Sequence, residues 1–219
     1  MTREQPGSPL RVAVMASGNG SNFQAIVDRI AAGKLNARIM VLICNNRNAF
    51  ALERARQAGV RAEHWSETLA GSPEAFVEGL LRILLEARTE LIVLAGFMKL
   101  LPPEIVQEYH GRILNIHPAL LPRYGGQGMY GMSVHEAVIA AGEKESGATV
   151  HFVEAEYDRG PIFLQRKVEV LPSDTPEALK ERVLKVEHEL LPGAIAKFAA
   201  ERDSIGRIAD IDSSASRKD

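Results

Sequence analysis

The architecture of this chain follows from LRVAVMASGNGSN, residues 10–22. Residues 10–16 form a β-rich apolar run that predicts a buried strand, and the glycine-rich turn at 17–22 leads into a predicted helix over 22–32. The glycines let the backbone approach an anion, and the hydroxyls, the amide and the N–H groups at the start of the helix supply donors. The turn has neither the Gly-Lys-Ser/Thr ending of a Walker loop nor the dinucleotide spacing, so it favours a monophosphate. The alternative is a capped turn with no ligand.

The same alternation of strand and helix continues through the first half of the chain. Further strands are predicted at 37–44, 60–64, 91–95 and 112–116, and further helices at 50–58, 73–87 and 103–109. This order is typical of a parallel sheet with crossover helices. We therefore predict an α/β fold with a Rossmann-like, mostly parallel sheet flanked by helices.

The second half of the chain predicts a smaller, mixed region. It comprises a glycine-rich loop at 125–131, a helix at 134–141, an antiparallel strand pair at 148–153 and 162–170, and a long helix at 175–200. Ser173 or Asp174 is the predicted N-cap of that helix, and Pro192 is expected to end or kink it. We predict one domain over 10–202, divided into halves at 10–117 and 118–202, with disordered tails at 1–9 and 203–219.

Composition indicates a soluble cytoplasmic protein. The 219 residues are 46% apolar and 25% charged, and the net charge of −2 gives no sign of a nucleic-acid or membrane surface. No apolar run approaches the roughly 20 residues of a membrane helix, and no signal peptide is evident. The single cysteine, Cys44, cannot form an internal disulfide, which fits a reducing compartment.

The sequence NIHP at 115–118 ends an apolar strand-like run. In a strand, Asn115 and His117 point to the same side, and Pro118 stops regular pairing just after them. An amide donor beside an imidazole suits acyl transfer, because one can stabilise an oxyanion and the other can move a proton. Alternatively, both side chains satisfy backbone groups at a strand edge. No nucleophile–base pair for covalent catalysis is evident.

Three other features carry candidate chemistry. AGFMKLL at 95–101 could wall a flat heterocycle, although by composition it could also be core. Asp158 would raise the pKa of His117 if the fold brought them together, but a loop carboxylate is commonly a solvated turn residue. Glu187 falls inside the long helix, where an exposed position is the simpler expectation. The histidines outside NIHP lack the spacing of metal ligands, so no metal site is predicted.

These motifs together resemble the folate-dependent formyltransferases, and among them the phosphoribosylglycinamide formyltransferases. SGNGSN at 17–22, AGFMKLL at 95–101, NIHPALLP at 115–122 and ATVHFV at 148–153 with DRGP at 158–161 occur in family order, and the resemblance covers 11–200. It implies a formyl donor, 10-formyltetrahydrofolate, and an acceptor, glycinamide ribonucleotide. It also implies the following sites: catalytic Asn115, His117 and Asp158; substrate-binding Gly20, Ser21, Asn22 and Glu187; folate-binding Met98, Lys99, Leu100, Leu101 and Asn115.

The resemblance also implies that Thr149 lies near a catalytic water. Three departures from the family pattern stand out. The 125–131 loop replaces a shorter family loop, Pro73 stands where a folate-contacting arginine is common, and Lys99 stands where an arginine is common. A monomer and a homodimer are both compatible with the sequence.

Three other functions remain open at this point. A formyltetrahydrofolate hydrolase would use water in place of the amine, and such proteins usually carry an extra N-terminal regulatory domain. A non-catalytic sugar-phosphate binding module would need only the 17–22 loop. A formyltransferase acting on charged tRNA is disfavoured by the lack of net basic charge.

Overall fold

A computed structural model describes residues 7–215 of the chain, and side chains over 7–202. The strands are β1 Leu10–Ala16, β2 Ala37–Cys44, β3 Ala62–His64, β4 Leu91–Leu94, β5 Ile113–His117, β6 Glu145–Phe152 and β7 Ile162–Glu169. The helices are α1 Ser21–Ala31, α2 Phe50–Gln57, α3 Glu67–Ala70, α4 Pro73–Glu86, α5 Pro103–Glu108, α6 Met132–Ala140 and α7 Pro176–Ala215.

All seven strands belong to one sheet, in the order β3-β2-β1-β4-β5-β6-β7. Strands β1 to β5 pair in parallel, and β6 and β7 are antiparallel to their neighbours. The predicted α/β fold with a mostly parallel sheet is therefore confirmed, as is the antiparallel pair in the second half. The chain order reverses between β1 and β4, and at such a switch point the carboxyl ends of the strands leave a crevice.

Apolar side chains cover both faces of the sheet, as expected for parallel strands. Along β1, Val12 and Val14 pack into the core on one face, together with α1 and α7. Ala13 and Met15 pack into the core on the other face, together with α4 and α5. Because side chains alternate along a strand, this single strand contributes to both layers and anchors the turn that follows it.

The observed elements differ from the predictions in several places. Helix α3 was not predicted, and β6 begins at Glu145 rather than at 148. The cap of α7 is Thr175, whose Oγ1 accepts from the N–H of Ala178 at 3.3 Å, so the prediction of Ser173 or Asp174 is wrong. Helix α7 continues through Pro192 to Ala215, past the predicted end at 200.

The predicted domain boundaries stay predictions. Of the predicted tails, residues 1–6 and 216–219 and the side chains of 203–215 lie outside what the structure describes. Within residues 7–215, no helix combines the length and the apolar character needed to cross a membrane.

Candidate active site

A cavity of about 580 Å³ opens at the carboxyl ends of β1, β4 and β5. Its walls are the turn before α1, the segment after β4, the end of β5, the loop before α6, and one face of α7. All the residues predicted for catalysis and binding line this one cavity: Gly20, Ser21, Asn22, Met98, Lys99, Leu100, Leu101, Asn115, His117, Asp158 and Glu187. The fold therefore brings together groups that lie far apart in the sequence.

The turn before α1 is held tightly against neighbouring segments. Gly20 has φ 77°, and a Cβ added there would lie 2.6 Å from the Cβ of Ala51 in α2, so only glycine fits. Arg54 of α2 donates from Nε to the carbonyl oxygen of Asn19 at 2.9 Å and from Nη2 to its Oδ1 at 3.0 Å. The N–H groups at the start of α1 thus face the cavity from a fixed turn, as an anion site requires.

Asn22 and Glu187 form a buried polar pair in the cavity wall. Each is 7% exposed, and the Asn22 amide donates from Nδ2 to Oε2 of Glu187 at 2.6 Å. Burial raises the pKa of Glu187 to about 7, although the hydrogen bond from Asn22 acts to lower it. The Asn22 Oδ1 atom is buried without a hydrogen-bond partner. The expectation of an exposed helix position for Glu187 is therefore wrong.

His117 is 4% exposed and lies between a backbone carbonyl and a carboxylate. Its Nε2 atom lies 2.7 Å from the carbonyl oxygen of Tyr124, and its Nδ1 atom lies 3.5 Å from Oδ2 of Asp158. Because a carbonyl only accepts, Nε2 must carry the proton and donate it. The neutral ring then leaves Nδ1 free to accept a proton on the side of Asp158.

The pKa of His117 lies below its ordinary value, although the charge of Asp158 acts to raise it, as predicted. Burial, the largest effect, lowers this pKa, and it outweighs the opposing effects of the Asp158 charge and the Tyr124 carbonyl. Burial would by itself raise the pKa of Asp158, but the interactions with His151, His117 and the Gly126 N–H together hold it below its usual value. The site therefore pairs an ionised carboxylate with an imidazole that gives up its proton readily.

His151 belongs to the site but was not predicted. Its Nδ1 atom lies 2.8 Å from the carbonyl oxygen of Phe152, so it donates there, and its Nε2 atom accepts from Nδ2 of Asn115 at 3.1 Å. The same Asn115 Nδ2 atom lies 3.4 Å from Oδ1 of Asp158. His151 thus orients the Asn115 amide. The position of His151 is set by the antiparallel pairing of β5 with β6, which places it opposite Asn115. No local sequence pattern reveals this pairing, so the sequence analysis missed His151.

His135 was also missed as a residue of the cavity wall. It lies on α6, is 2% exposed, and has an Nδ1 atom without a hydrogen-bond partner. Burial, with smaller effects from Lys180 and His117, lowers its pKa to about 4. It is therefore a neutral imidazole near pH 7.

Thr149 lies opposite His117 in the pairing of β5 with β6. Its hydroxyl donates to the carbonyl oxygen of Ala119 at 2.6 Å and accepts from the Leu121 N–H at 3.2 Å and from Gln165 Nε2 at 2.9 Å. The side chain is fully buried and does not line the cavity. These bonds hold the segment after β5 in place, and the implied position of Thr149 near a catalytic water stays a prediction.

The loop before α6 forms one rim of the cavity and is attached to the catalytic candidates. The Gly126 N–H donates to Oδ2 of Asp158 at 2.9 Å, and Tyr124 accepts from His117. Tyr124 (φ 57°) and Asp158 (φ 55°) both adopt the left-handed backbone region, which is unfavourable for residues other than glycine. Two of the three non-glycine residues with positive φ in the described part of the chain therefore contact His117, and the third is Arg88.

The segment after β4 forms an apolar wall on the opposite side. Met98 and Leu100 are 48% and 43% exposed, whereas Leu101 is buried at 4%. The Met98 N–H donates to Oγ of Ser17 at 2.9 Å, which joins this wall to the anion-binding turn. Pro73 starts α4 and does not line the cavity. Within the described residues, no group of three or more His, Cys, Asp or Glu side chains could hold a metal ion.

Comparison with known families shows which family the chain belongs to. The model of the formyl transferase family matches residues 10–195. The chain belongs to the formyl transferase family. It is 40% identical over 190 residues to the phosphoribosylglycinamide formyltransferase of Escherichia coli, covering 87% of each protein. It is 39% identical to the chloroplastic phosphoribosylglycinamide formyltransferase of Arabidopsis thaliana, of which it spans 66%.

Solved structures agree with the assignment of this chain to the formyl transferase family. Glycinamide ribonucleotide transformylase 1 from Symbiobacterium toebii is 41% identical, with a TM-score of 0.83 and 90% of each chain covered. A formyltetrahydrofolate deformylase from Pseudomonas syringae matches at 26% identity and a TM-score of 0.79, over 62% of its length. The chain is thus a transferase by family, and it has structural similarity to a hydrolase as well.

Proposed function

We propose that this enzyme transfers the formyl group of 10-formyltetrahydrofolate to the amine of glycinamide ribonucleotide, giving formylglycinamide ribonucleotide and tetrahydrofolate. The observation that carries the proposal is that this one cavity combines polar and apolar walls with a candidate catalytic pair. The glycine-rich turn and a buried carboxylate form its polar wall, the segment after β4 forms a mostly apolar wall joined to that turn, and Asn115 and the His117–Asp158 pair line the same space. Relatives named for this reaction support it.

The glycine-rich end suits the ribonucleotide. The phosphate would accept hydrogen bonds from the backbone N–H groups of Gly20, Ser21 and Asn22, where the helix dipole also favours an anion. Glu187, which is hydrogen-bonded to Asn22 in the same wall, would contact hydroxyl or amine hydrogens of the same substrate. Its raised pKa fits a group that awaits a hydrogen-bonding partner.

The apolar end suits the folate ring system. Backbone groups and side chains over 98–101 would enclose the flat heterocycle, and Lys99 at the rim is a cation for the acidic end of the folate. No guanidinium-specific contact is expected at Lys99 or Pro73, because neither residue has the planar fork of arginine.

The reaction begins with attack of the free amine on the formyl carbon, which forms a C–N bond and turns the formyl oxygen into an oxyanion. One N–H of Asn115 is held by His151, and the second points toward Asp158 at a long 3.4 Å. We assign this second N–H to the oxyanion, since a weak bond is easily exchanged for one to a developing negative charge.

Proton transfer then completes the exchange. Neutral His117 accepts the proton of the attacking amine at Nδ1, directly or through a water, and returns it to N10 of the folate as the C–N10 bond breaks. The imidazolium that exists in between is stabilised by Asp158 at 3.5 Å and by the Tyr124 carbonyl. Stabilisation that appears only when the charge develops lowers the barrier rather than the ground state.

A direct assay tests the proposal. The protein is mixed with 10-formyltetrahydrofolate, and release of tetrahydrofolate is followed with and without glycinamide ribonucleotide. Release that depends on the amine, with formylglycinamide ribonucleotide as the second product, is the expected result. Equal release without the amine would instead indicate a hydrolase, the alternative favoured by the structural similarity to the deformylase.

A further inference from the structure

A second pocket, of about 480 Å³, lies on the outer side of α1, where α1, α2 and α7 meet. Its floor is one face of α1, from Ser21 to Ala32, with residues spaced three or four apart as a helix face requires. Its volume falls within the range of about 300 to 1,000 Å³ that is typical of ligand pockets. Apart from two alanines, its lining side chains are polar or charged, which favours a charged ligand over an apolar one.

Three cations surround this pocket. Arg29 comes from α1, Lys34 from the segment after it, and Arg54 from α2. None of the three forms an ion pair with a carboxylate in the part of the chain that the structure describes. Asp28 is the one acidic group of the lining, and the amide of Gln24 donates to its Oδ1 at 2.9 Å. The pocket therefore carries an excess of positive charge that attracts anions.

His188 of α7 adds a hydrogen-bonding group to the same pocket. Its Nε2 atom is buried and has no hydrogen-bond partner, which is an unfavourable state for a polar atom. Because this atom is buried, a ligand oxygen would accept a hydrogen bond from it only after a movement of the side chain. The neighbouring residue, Glu187, lines the active-site cavity, so adjacent residues of α7 line the two sites.

We propose that this pocket is a second anion site, distinct from the active-site cavity, that binds a ligand bearing two or more linked phosphate groups. Three cations around one pocket suit a chain of phosphates, because such a chain carries several negative charges. The free polyphosphate and the triphosphate of a nucleotide share this chemistry, and the lining offers two neutral side chains, Ser21 and Gln24, for further hydrogen bonds.

A ligand bound in this pocket would change the affinity of the active site through Arg54. Its guanidinium holds Asn19 in the glycine-rich turn by two hydrogen bonds, and it also lines the second pocket. Ser21 lines both sites. A phosphate that draws Arg54 toward itself competes with its bonds to Asn19, and the affinity for glycinamide ribonucleotide should fall as a result. Linkage requires the reciprocal effect as well.

Titration calorimetry with inorganic tripolyphosphate tests the site. The double variant Arg29→Ala, Lys34→Ala is compared with the wild type and with Arg82→Ala, which removes an exposed cation from α4 on the opposite face of the sheet. We expect one binding event whose affinity falls at least about tenfold in the double variant and less than about twofold in the control. Equal affinities in all three proteins, or no binding by the wild type, would overturn the proposal.

Two further arms locate and identify the ligand. The same titration is repeated with the protein saturated by glycinamide ribonucleotide, whose own binding is measured first. Persistent, weakened binding of tripolyphosphate is expected, whereas complete competition would assign it to the active site and refute the second site. Tripolyphosphate is then compared with ATP: similar affinities mean that only the phosphates are recognised, and a much tighter ATP complex means that the nucleoside is bound too. Failure of glycinamide ribonucleotide to bind would count against the proposed reaction alone, because the variant comparison does not depend on it.

Discussion

Glu187→Gln should stabilise the free enzyme at alkaline pH while weakening binding of the ribonucleotide. The change removes the charge of a carboxyl group that is 7% exposed, and it keeps nearly the same shape. Its amide oxygen can still accept from Nδ2 of Asn22, which bonds Glu187 at 2.6 Å in the wild type. The variant therefore isolates the effect of burying a charge.

The magnitude follows from the pKa. Burial raises the pKa of Glu187 from 4.5 to about 7, so between these pH values the folded protein holds a proton that the unfolded chain has lost. The wild type consequently loses stability as the pH rises through this window, by roughly 3 kcal/mol at about 1.4 kcal/mol per pKa unit. Glutamine does not titrate in this range, so the free energy of unfolding of the variant does not fall in the same way.

Urea unfolding at pH 5 and pH 8.5 measures the difference. We expect similar stabilities at pH 5 and a variant that is more stable by about 1–3 kcal/mol at pH 8.5. Glu181→Gln, an exposed carboxylate on the same helix, is the matched control and should show no such pH dependence. A variant that is less stable than the wild type at pH 8.5, or equally displaced at both pH values, would refute the reasoning.

The same variant tests the contact with substrate. Loss of a charged hydrogen-bonding partner should raise KM for glycinamide ribonucleotide by about tenfold or more and leave KM for the folate nearly unchanged. An equal rise for both substrates would mean that the cavity as a whole is disturbed.

Three further substitutions separate catalytic from structural roles. Asp158→Asn should lower kcat well beyond about tenfold with little change in KM. NMR titration of this variant should show a lower pKa for His117 than in the wild type, because the carboxylate that opposes the effect of burial is gone. His151→Phe should lower kcat by about tenfold or more and spare KM, since Asn115 loses the acceptor that orients its amide; an unchanged kcat would remove His151 from the site. Thr149→Val should lower the free energy of unfolding by about 2–3 kcal/mol in urea titrations, because the hydroxyl makes three hydrogen bonds to protein groups. The same variant should keep kcat within about twofold of the wild type. A large loss of kcat in a stable variant would instead support a catalytic role for Thr149.

Local patterns were sufficient to predict the sheet and its crossover helices. The apolar runs bounded by glycine and polar turns gave β1 and β2 with the bounds that the structure has. The predicted start of β6 is three residues late, and the residues that the prediction missed include Gly147, a residue type that usually weakens a strand. In the structure, a Cβ at Gly147 would lie 2.1 Å from the carbonyl oxygen of Arg166, so glycine is required there by the close approach of β7. A tertiary contact explains the glycine, and no local pattern contains it.

Pro192 shows the same limit in a helix. A proline inside a helix removes one backbone hydrogen bond, so the sequence predicts an end or a kink. The structure continues α7 through it, with Leu190, Leu191, Ala194 and Ile195 all buried against the sheet. Burial of these side chains on both sides of the proline outweighs the lost hydrogen bond, and that burial depends on the sheet rather than on the helix itself.

The pKa of His117 shows what kind of information the sequence lacks at the active site. Motif order was enough to name His117 and Asp158, and their predicted proximity agrees with the 3.5 Å between Nδ1 and Oδ2. The sign of the shift depends on a competition between that charge and the burial of the ring, which is 4% exposed. Burial wins, so the resting imidazole is readily neutral, and this is the state that a base needs to accept the proton of an attacking amine. The carboxylate of Asp158 then stabilises the imidazolium that forms during the reaction. Its contribution is therefore larger in the transition state than in the free enzyme, where the imidazole is neutral.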